Sequence, residues 1–307
     1  MGAYPFSVGV SDALKAHNGV DGFDHGKRSQ SSELQNCRGR LPSIQAARLR
    51  TMLLESWKDP SQILATCCAD DALSARLIEE AGFPLIFLGG YAVSASLGLP
   101  DTGYIAFQEL ANRIQEVSRR VNIPIFVDGD TGYGSSPNVR RTVEGFARAG
   151  AAGVMIEDQT WPKKCGHTKG KSVVSREEAF ARVQAAVDAR NEGTDIVILA
   201  RTDSLILGWD EALLRATTFA KMGADMVFIE ALPDRLAMEK AAKEAGFAMV
   251  AYPFTIVAAK IKAVREALEG MKGSMTVGAP PQILSAAEVC EAVGFEDYWK
   301  LEERYKY

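Results

Sequence analysis

Between residues 63 and 253 two hydrophobic patterns alternate along the chain. Short runs, apolar at nearly every position, are ILATC (63–67), PLIFLGG (84–90), PIFVDGD (124–130), GVMIEDQ (153–159), IVILART (196–202), MVFIEAL (226–232) and FAMVAYP (247–253). Between them lie longer segments with apolar residues at helical spacing, such as REEAFARVQAAVDARN (176–191) and WDEALLRATTFAKMG (209–223). A continuously apolar run suits a parallel strand covered on both faces, because a strand with one wet face would alternate. Asp210 and Glu211 suit the positive end of the second helix, and the phrases AGF, AGAAG and MGAD put glycine where a helix turns back into a strand. Strand–helix alternation over this length predicts an α/β domain.

An open dinucleotide-binding sheet would carry G-x-G-x-x-G after its first strand, and that motif is missing. Polar residues instead gather where the strands end: Asp128 and Asp130, Glu157 and Asp158, Arg201 and Asp203, and Glu230. In a closed barrel those ends converge on one mouth. The expected fold is therefore a (β/α)8 TIM-type barrel over residues 41–272. The stretch DRLAMEKAAKEAGFAMVAYPF (234–254) passes from a helix directly into the last strand. About 30 residues, one βα unit, are thus expected to be lacking near residue 245. Such a gap would leave an unpaired sheet edge and a hole beside the site.

The flanks differ in character. Residues 1–40 are rich in Gly, Ser and Asn without hydrophobic periodicity and are expected to be a disordered tail. Asp12, Asp21 and Asp24 argue against a transit peptide, and no apolar core of a secretory signal is present. Residues 273–307 are expected to form a C-terminal helical arm whose Phe295, Tyr298, Trp299 and Leu301 need a surface to cover them.

Composition narrows the partners. The 307 residues are 47% hydrophobic and 24% charged, with a formal net charge of −4. That mild acidity argues against nucleic acid or an anionic membrane as the partner, and no apolar run reaches the length of a membrane span. Five cysteines without paired spacing exclude a disulfide framework and suit the cytoplasm, with the mitochondrion as the alternative.

The stretch WPKKCGHTKGKS (161–172) raises the question of chemistry. It is not a phosphate loop, because Cys165 stands where the first glycine is needed, and no second Cys/His pair completes a zinc site. Lys163, Lys164, His167, Lys169 and Lys171 flank the cysteine, and neighbouring cations favour a thiolate. DGDTGYG (128–134) begins like a calcium loop, but Gly132 and Val139 occupy ligand positions. Carboxylates gathered at one mouth repel unless a divalent cation joins them, and oxygen-only ligands point to Mg²⁺ or Mn²⁺. Arg201 offers a planar fork for a carboxylate or phosphate. LGGYAVSASLGLPDTG (88–103) offers backbone N–H groups to an anion.

Taken together, GGYAVSASLGLPDTG, VDGDTGYG, IEDQTWPKKCGH, ARTD and FIEAL resemble the isocitrate lyase/phosphoenolpyruvate mutase superfamily over residues 41 to 307. The likeness is to its short lyase-type branch of methylisocitrate lyase, dimethylmalate lyase, oxaloacetate acetylhydrolase and carboxyphosphonoenolpyruvate phosphonomutase-like proteins. The resemblance implies that Asp128 ligates Mg²⁺ directly, while Asp130 and Glu157 reach it through water. It implies that Gly89, Gly90 and Tyr91 hold the substrate's carboxylate through backbone amides, with Asp101 close by. Arg201 would touch the substrate and Glu230 would face it. Cys165, followed by Gly166 and His167, would sit on a gating loop and protonate the enolate released by C–C cleavage.

The implied substrates are small 2-hydroxy or 2-oxo dicarboxylates such as methylisocitrate, dimethylmalate or oxaloacetate. Cys165 favours a lyase or acylhydrolase over the alternative, a phosphonomutase; a catalytically impaired barrel is the second alternative. The superfamily pattern Tyr-Asp-x-Leu-Ser-Ala is read onto CADDALSA (68–75) with Ala69 in the tyrosine's place. The unit lacking near residue 245 would have brought an asparagine and a glutamate to the substrate. The resemblance also implies that the arm is exchanged within a homodimer, two of which form a homotetramer.

Overall fold

A computed structural model describes the backbone of residues 6–10 and residues 42–274 and 283–306. The chain divides into two compact units, Met1–Phe254 and Thr255–Tyr307. The division falls one helix earlier than the expected boundary at 273.

In the first unit every one of the seven apolar runs forms a strand: β2 (Leu64–Ala69), β3 (Ile86–Leu88), β4 (Ile125–Asp128), β5 (Gly153–Glu157), β6 (Val197–Thr202), β7 (Met226–Ile229) and β8 (Met249–Tyr252). All seven run parallel, with β8 beside β2 and β7 at the other end. Strands β3 to β7 are buried at every residue, which is why their sequences do not alternate. Inside the barrel Phe87 stacks on Phe126 with ring centroids 5.7 Å apart.

The helices are α1 (Ile44–Lys58), whose Ser43 cap, Gln45 and Ser56 reach residues just before β6, β4 and β8, then α2 (Ala72–Glu80), α3 (Gly90–Ser96), α4 (Phe107–Ser118), α5 (Ser136–Ala149), α6 (Arg176–Asn191), α7 (Trp209–Lys221) and α8 (Arg235–Ala245). Ser43 caps α1 and Ser175 caps α6, each accepting from a backbone N–H three residues on. Phe219 of α7 is fully buried with Val183, Val187, Ala216 and Val227. Burying a side chain of that size stabilises by roughly 1.5–3 kcal/mol.

The gap near residue 245 does not leave the sheet open. A further strand, β1 (Phe6–Val10), lies between β7 and β8 and is antiparallel to both. Gly9 and Val10 pair with Val227 and Met226; Phe6, Ser7 and Val8 pair with Ala251, Val250 and Met249. The barrel thus closes as seven parallel strands and one antiparallel strand. An antiparallel strand can satisfy both edges while running opposite to its neighbours. The expected unpaired edge is overturned, and so is disorder at residues 6–10; residues 1–5 and 11–41 lie outside the described residues.

The second unit contains α9 (Thr255–Ser274), α10 (Ala286–Val293) and α11 (Phe295–Arg304). Ser285 and Glu288 form a capping box at the start of α10, and Phe295 meets Trp299 edge-on at 5.6 Å. Neither α10 nor α11 has a buried residue, and Tyr298, Trp299 and Leu301 are each half exposed. No helix among the described residues is long and apolar enough to cross a membrane.

Candidate active site

The parallel strands deliver charge to one end of the barrel. Asp128 ends β4, Glu157 ends β5, Arg201 is the penultimate residue of β6, and Glu230 follows β7. All four are buried. The guanidinium of Arg201 is shared by three carboxylates: Nη1 is 3.2 Å from Glu157 Oε2, and Nε is 2.9 Å from Asp203 Oδ2 and 3.3 Å from Glu230 Oε2. Burial opposes its charge, but Asp203, Glu230 and Glu157 outweigh that and push its pKa up further. Burial drives the Glu157 carboxyl well above the usual range, against the pull of Arg201.

The loop after β5 is pinned at its base. Thr160 N–H donates to Ser172 O at 2.9 Å, Val174 N–H donates to Asp158 O at 2.9 Å, and the Gln159 amide spans to Lys164 N and O. The loop tip then folds inward. Cys165 is buried, and burial pushes its thiol up, the reverse of the expected thiolate. Two of the flanking lysines are engaged with carboxylates. Lys163, also buried, pairs with Asp101 and lies 2.6 Å from Asp130 Oδ1; Lys171 Nζ is 2.7 Å from Asp203 Oδ1.

A small cavity of about 50 Å³ collects Gly89, Gly90, Tyr91, Asp101, Asp128, Cys165, Gly166, His167, Arg201 and Glu230. Asp130 and Glu157 do not line it; they are packed against Lys163 and Arg201. Tyr91 meets Phe254 edge-on at 4.6 Å and His167 meets the same ring at 5.2 Å. His167 Nδ1 is 3.5 Å from Glu230 Oε1. Gly166 is a point of close approach: a Cβ there would lie 2.4 Å from Glu230 Oε1 and 2.5 Å from Arg201 Nη2. Gly90 brings its N–H to Asp128 Oδ2 at 3.2 Å, so this amide is aimed at a carboxylate of the protein.

Sequence reasoning overlooked several side chains here. Cys68 and Phe254 line the cavity, each one position beyond an apolar run, where nothing in the sequence pointed to a site. Lys163 had been read only as a cation beside the thiol. Its pairing with Asp101, 62 residues away, is a product of the fold. Asp158 belongs elsewhere. It accepts from Thr202 Oγ1 at 2.6 Å and Asp203 N–H at 2.8 Å and pairs with Arg215 at 3.0 Å, tying β5 to β6 and α7 rather than joining the mouth carboxylates. Ala69 is a fully buried core residue of β2. Asp71 caps α2, so the Asp-x-Leu-Ser-Ala stretch begins there and Asp70, not Ala69, precedes it.

The donor set fits a hard divalent cation. Asp128 and Asp130 follow one another within a single turn, where Asp130 N–H donates to Asp128 Oδ1 at 3.0 Å, and Glu157 Oε1 is buried without a hydrogen-bond partner. Burial, reinforced by Asp128 and Asp101 against the pull of Lys163, pushes Asp130 up to about 6, a crowding that a cation would relieve. Among the described residues no three His, Cys, Asp or Glu side chains close into a metal cage.

Lys163→Met should destabilise the fold by about 3–5 kcal/mol, because it leaves Asp101 and Asp130 buried without their cation. Urea unfolding measures this; a loss below about 1 kcal/mol would mean that the pair is not maintained.

A closed barrel whose strand ends converge on a carboxylate- and arginine-lined cavity, capped by a thiol-bearing loop, defines a TIM-type barrel enzyme. The chain belongs to the phosphoenolpyruvate phosphomutase family, which it matches over residues 54–267, within the isocitrate lyase/PEP mutase superfamily. It is 36% identical over 253 residues to a 2-methylisocitrate lyase of Aeropyrum pernix, covering 74% of this chain and 81% of that protein. A structure of oxaloacetate acetylhydrolase with the inhibitor 3,3-difluorooxalacetate superposes with a TM-score of 0.78 at 29% identity, covering 84% of this chain and 96% of that one. Phosphonopyruvate hydrolase in complex with oxalate and Mg²⁺ superposes with a TM-score of 0.69 at 28% identity, covering 82% of this chain and 98% of that one.

Proposed function

We propose that this chain is a carbon–carbon bond lyase that splits small 2-hydroxy dicarboxylates into a 2-oxo acid and a carboxylate. The observation that carries this reading is Cys165, buried and held as a thiol in the same cavity as Arg201 and Glu230. A protonated thiol is an acid, and this reaction needs one. As the C2–C3 bond breaks, its electron pair passes to C3 and spreads into the adjoining carboxylate as an enolate. The 2-hydroxyl proton goes to Glu230, whose Oε1 accepts no hydrogen bond among the described residues, and C2 becomes the oxo carbon. Cys165 delivers its proton to C3, and Glu230 then returns a proton to the thiolate, so atoms and charge balance. Arg201 offsets the substrate's carboxylate, and the closed loop keeps water from the enolate.

Mg²⁺ or Mn²⁺, held by Asp128 directly and by Asp130 and Glu157 through water, would supply Lewis-acid stabilisation of the oxygen on C2. The Mg²⁺ in the hydrolase complex and the oxygen-only donors of this chain support that choice.

The test is a product assay with methylisocitrate, dimethylmalate, oxaloacetate and phosphonopyruvate, on the native chain and on Cys165→Ala. At least one of the first three should be cleaved with added Mg²⁺ and not with EDTA, and Cys165→Ala should lower kcat about 10²–10⁴-fold. Turnover of phosphonopyruvate alone would favour the phosphonomutase alternative. A folded chain inert toward all four would favour the impaired barrel.

The exposed aromatic residues of α11 support an assembly in which the arm is exchanged within a dimer and two dimers form a tetramer. Light scattering should give four times the chain mass, and a monomer would refute it.

A further inference from the structure

A groove of about 520 Å³ opens beside the reaction cavity and shares Gly166, His167 and Glu230 with it as a common wall. It runs toward the turn after β7 and toward α8, where Leu232 and Met238 line it, and Leu205 and Ile206 line it from the segment after β6. Of the charged groups in its walls, Asp203 is held by Arg201 and Lys171 and Glu230 by Arg201, while Lys169 also lines it. An occupant meets a mainly apolar surface, with Lys169 beside it and one end open to the reacting groups. The volume falls within the range of small-molecule sites, whereas the reaction cavity alone is far below it.

We propose that this groove takes an apolar substituent on C3 of the substrate, so that the preferred substrates are 2-hydroxy dicarboxylates bearing an alkyl chain of several carbons. This rests on the lyase reading above. The reacting carboxylates and hydroxyl sit among Asp128, Arg201 and Glu230, and the alkyl chain passes His167 to lie against Leu232 and Met238. Each added methylene leaves water for an apolar wall and should tighten binding about fourfold.

The test uses 3-methyl-, 3-propyl- and 3-pentylmalate with Mg²⁺. Binding is measured by calorimetry on Cys165→Ala, and cleavage is measured on the native chain. Kd should fall by about fourfold per methylene, roughly 250-fold from methyl to pentyl. Leu232→Trp and, independently, Met238→Trp fill the groove and should flatten this dependence, so that the ratio of pentyl to methyl affinity approaches one. If one tryptophan variant fails to fold, the other still decides. Affinity that does not rise with chain length in the unfilled groove overturns the proposal, even if every malate is cleaved and the lyase reading stands. Length-dependent binding without cleavage by the native chain supports the groove while the lyase reading falls.

Discussion

Gly166→Ala should lower kcat/KM at least about 100-fold, on the scale of removing a general acid, while leaving the fold intact. The added methyl would lie 2.4 Å from Glu230 Oε1 and 2.5 Å from Arg201 Nη2, well inside van der Waals contact. Neither neighbour can easily yield. Arg201 is fixed by Glu157 and Asp203, and both Arg201 and Glu230 are buried. The loop must therefore lift, carrying Cys165 away from the cavity and admitting water to the enolate. Stability should change by less than about 1 kcal/mol, because the loop's base hydrogen bonds at Thr160 and Val174 lie outside the clash. Steady-state cleavage and urea unfolding on the same preparation give both numbers. Limited trypsin digestion supplies a third readout, since Lys164 and Lys169 should be cut faster once the loop rises. Native kcat/KM in the variant would show that turnover does not require the loop to pack on Arg201 and Glu230.

The contrast between loop and barrel explains how much could be read from the residues alone. Strands such as IVILART announce themselves because burial on both faces removes any polar position, and the polar residues that end them are then conspicuous. Asp128, Arg201 and Glu230 were legible for that reason. Spacing along one strand cannot tell which way its terminal carboxylate turns, so Asp158 was grouped with Glu157 although it serves Arg215 and Thr202. For Cys165 the flanking lysines favour a thiolate while the acid role that the resemblance implies needs a thiol, because local sequence counts lysines but not their partners. Once Asp101, Asp130 and Asp203 claim Lys163 and Lys171, burial decides the thiol's pKa. FSVGV carried its own signal, since Phe6, Val8 and Val10 alternate with small residues. Five such residues in a polar segment become informative only when an unpaired barrel edge awaits them.

Removing residues 1–10 should therefore cost far more than trimming a tail. β1 is the sole described link between β7 and β8, and its loss would bare one edge of each at once. The pairing covers five positions, Phe6 to Val10, so several backbone N–H and C=O groups would need water or another chain. At about 1–3 kcal/mol for each polar group left unsatisfied, partly relieved by hydration, the expected loss is about 3–5 kcal/mol of unfolding free energy. Urea titration measures it. The bared edges should also make the shortened chain associate as its concentration rises. Phe6 pairs with Ala251 near the end of β8 that faces the active-site mouth, so kcat/KM should fall together with stability. A peptide spanning residues 1–12, added to the shortened chain, should restore both, because its strand can re-enter without a covalent connection. A shortened chain that unfolds at the native urea concentration would mean that β7 and β8 need no strand between them.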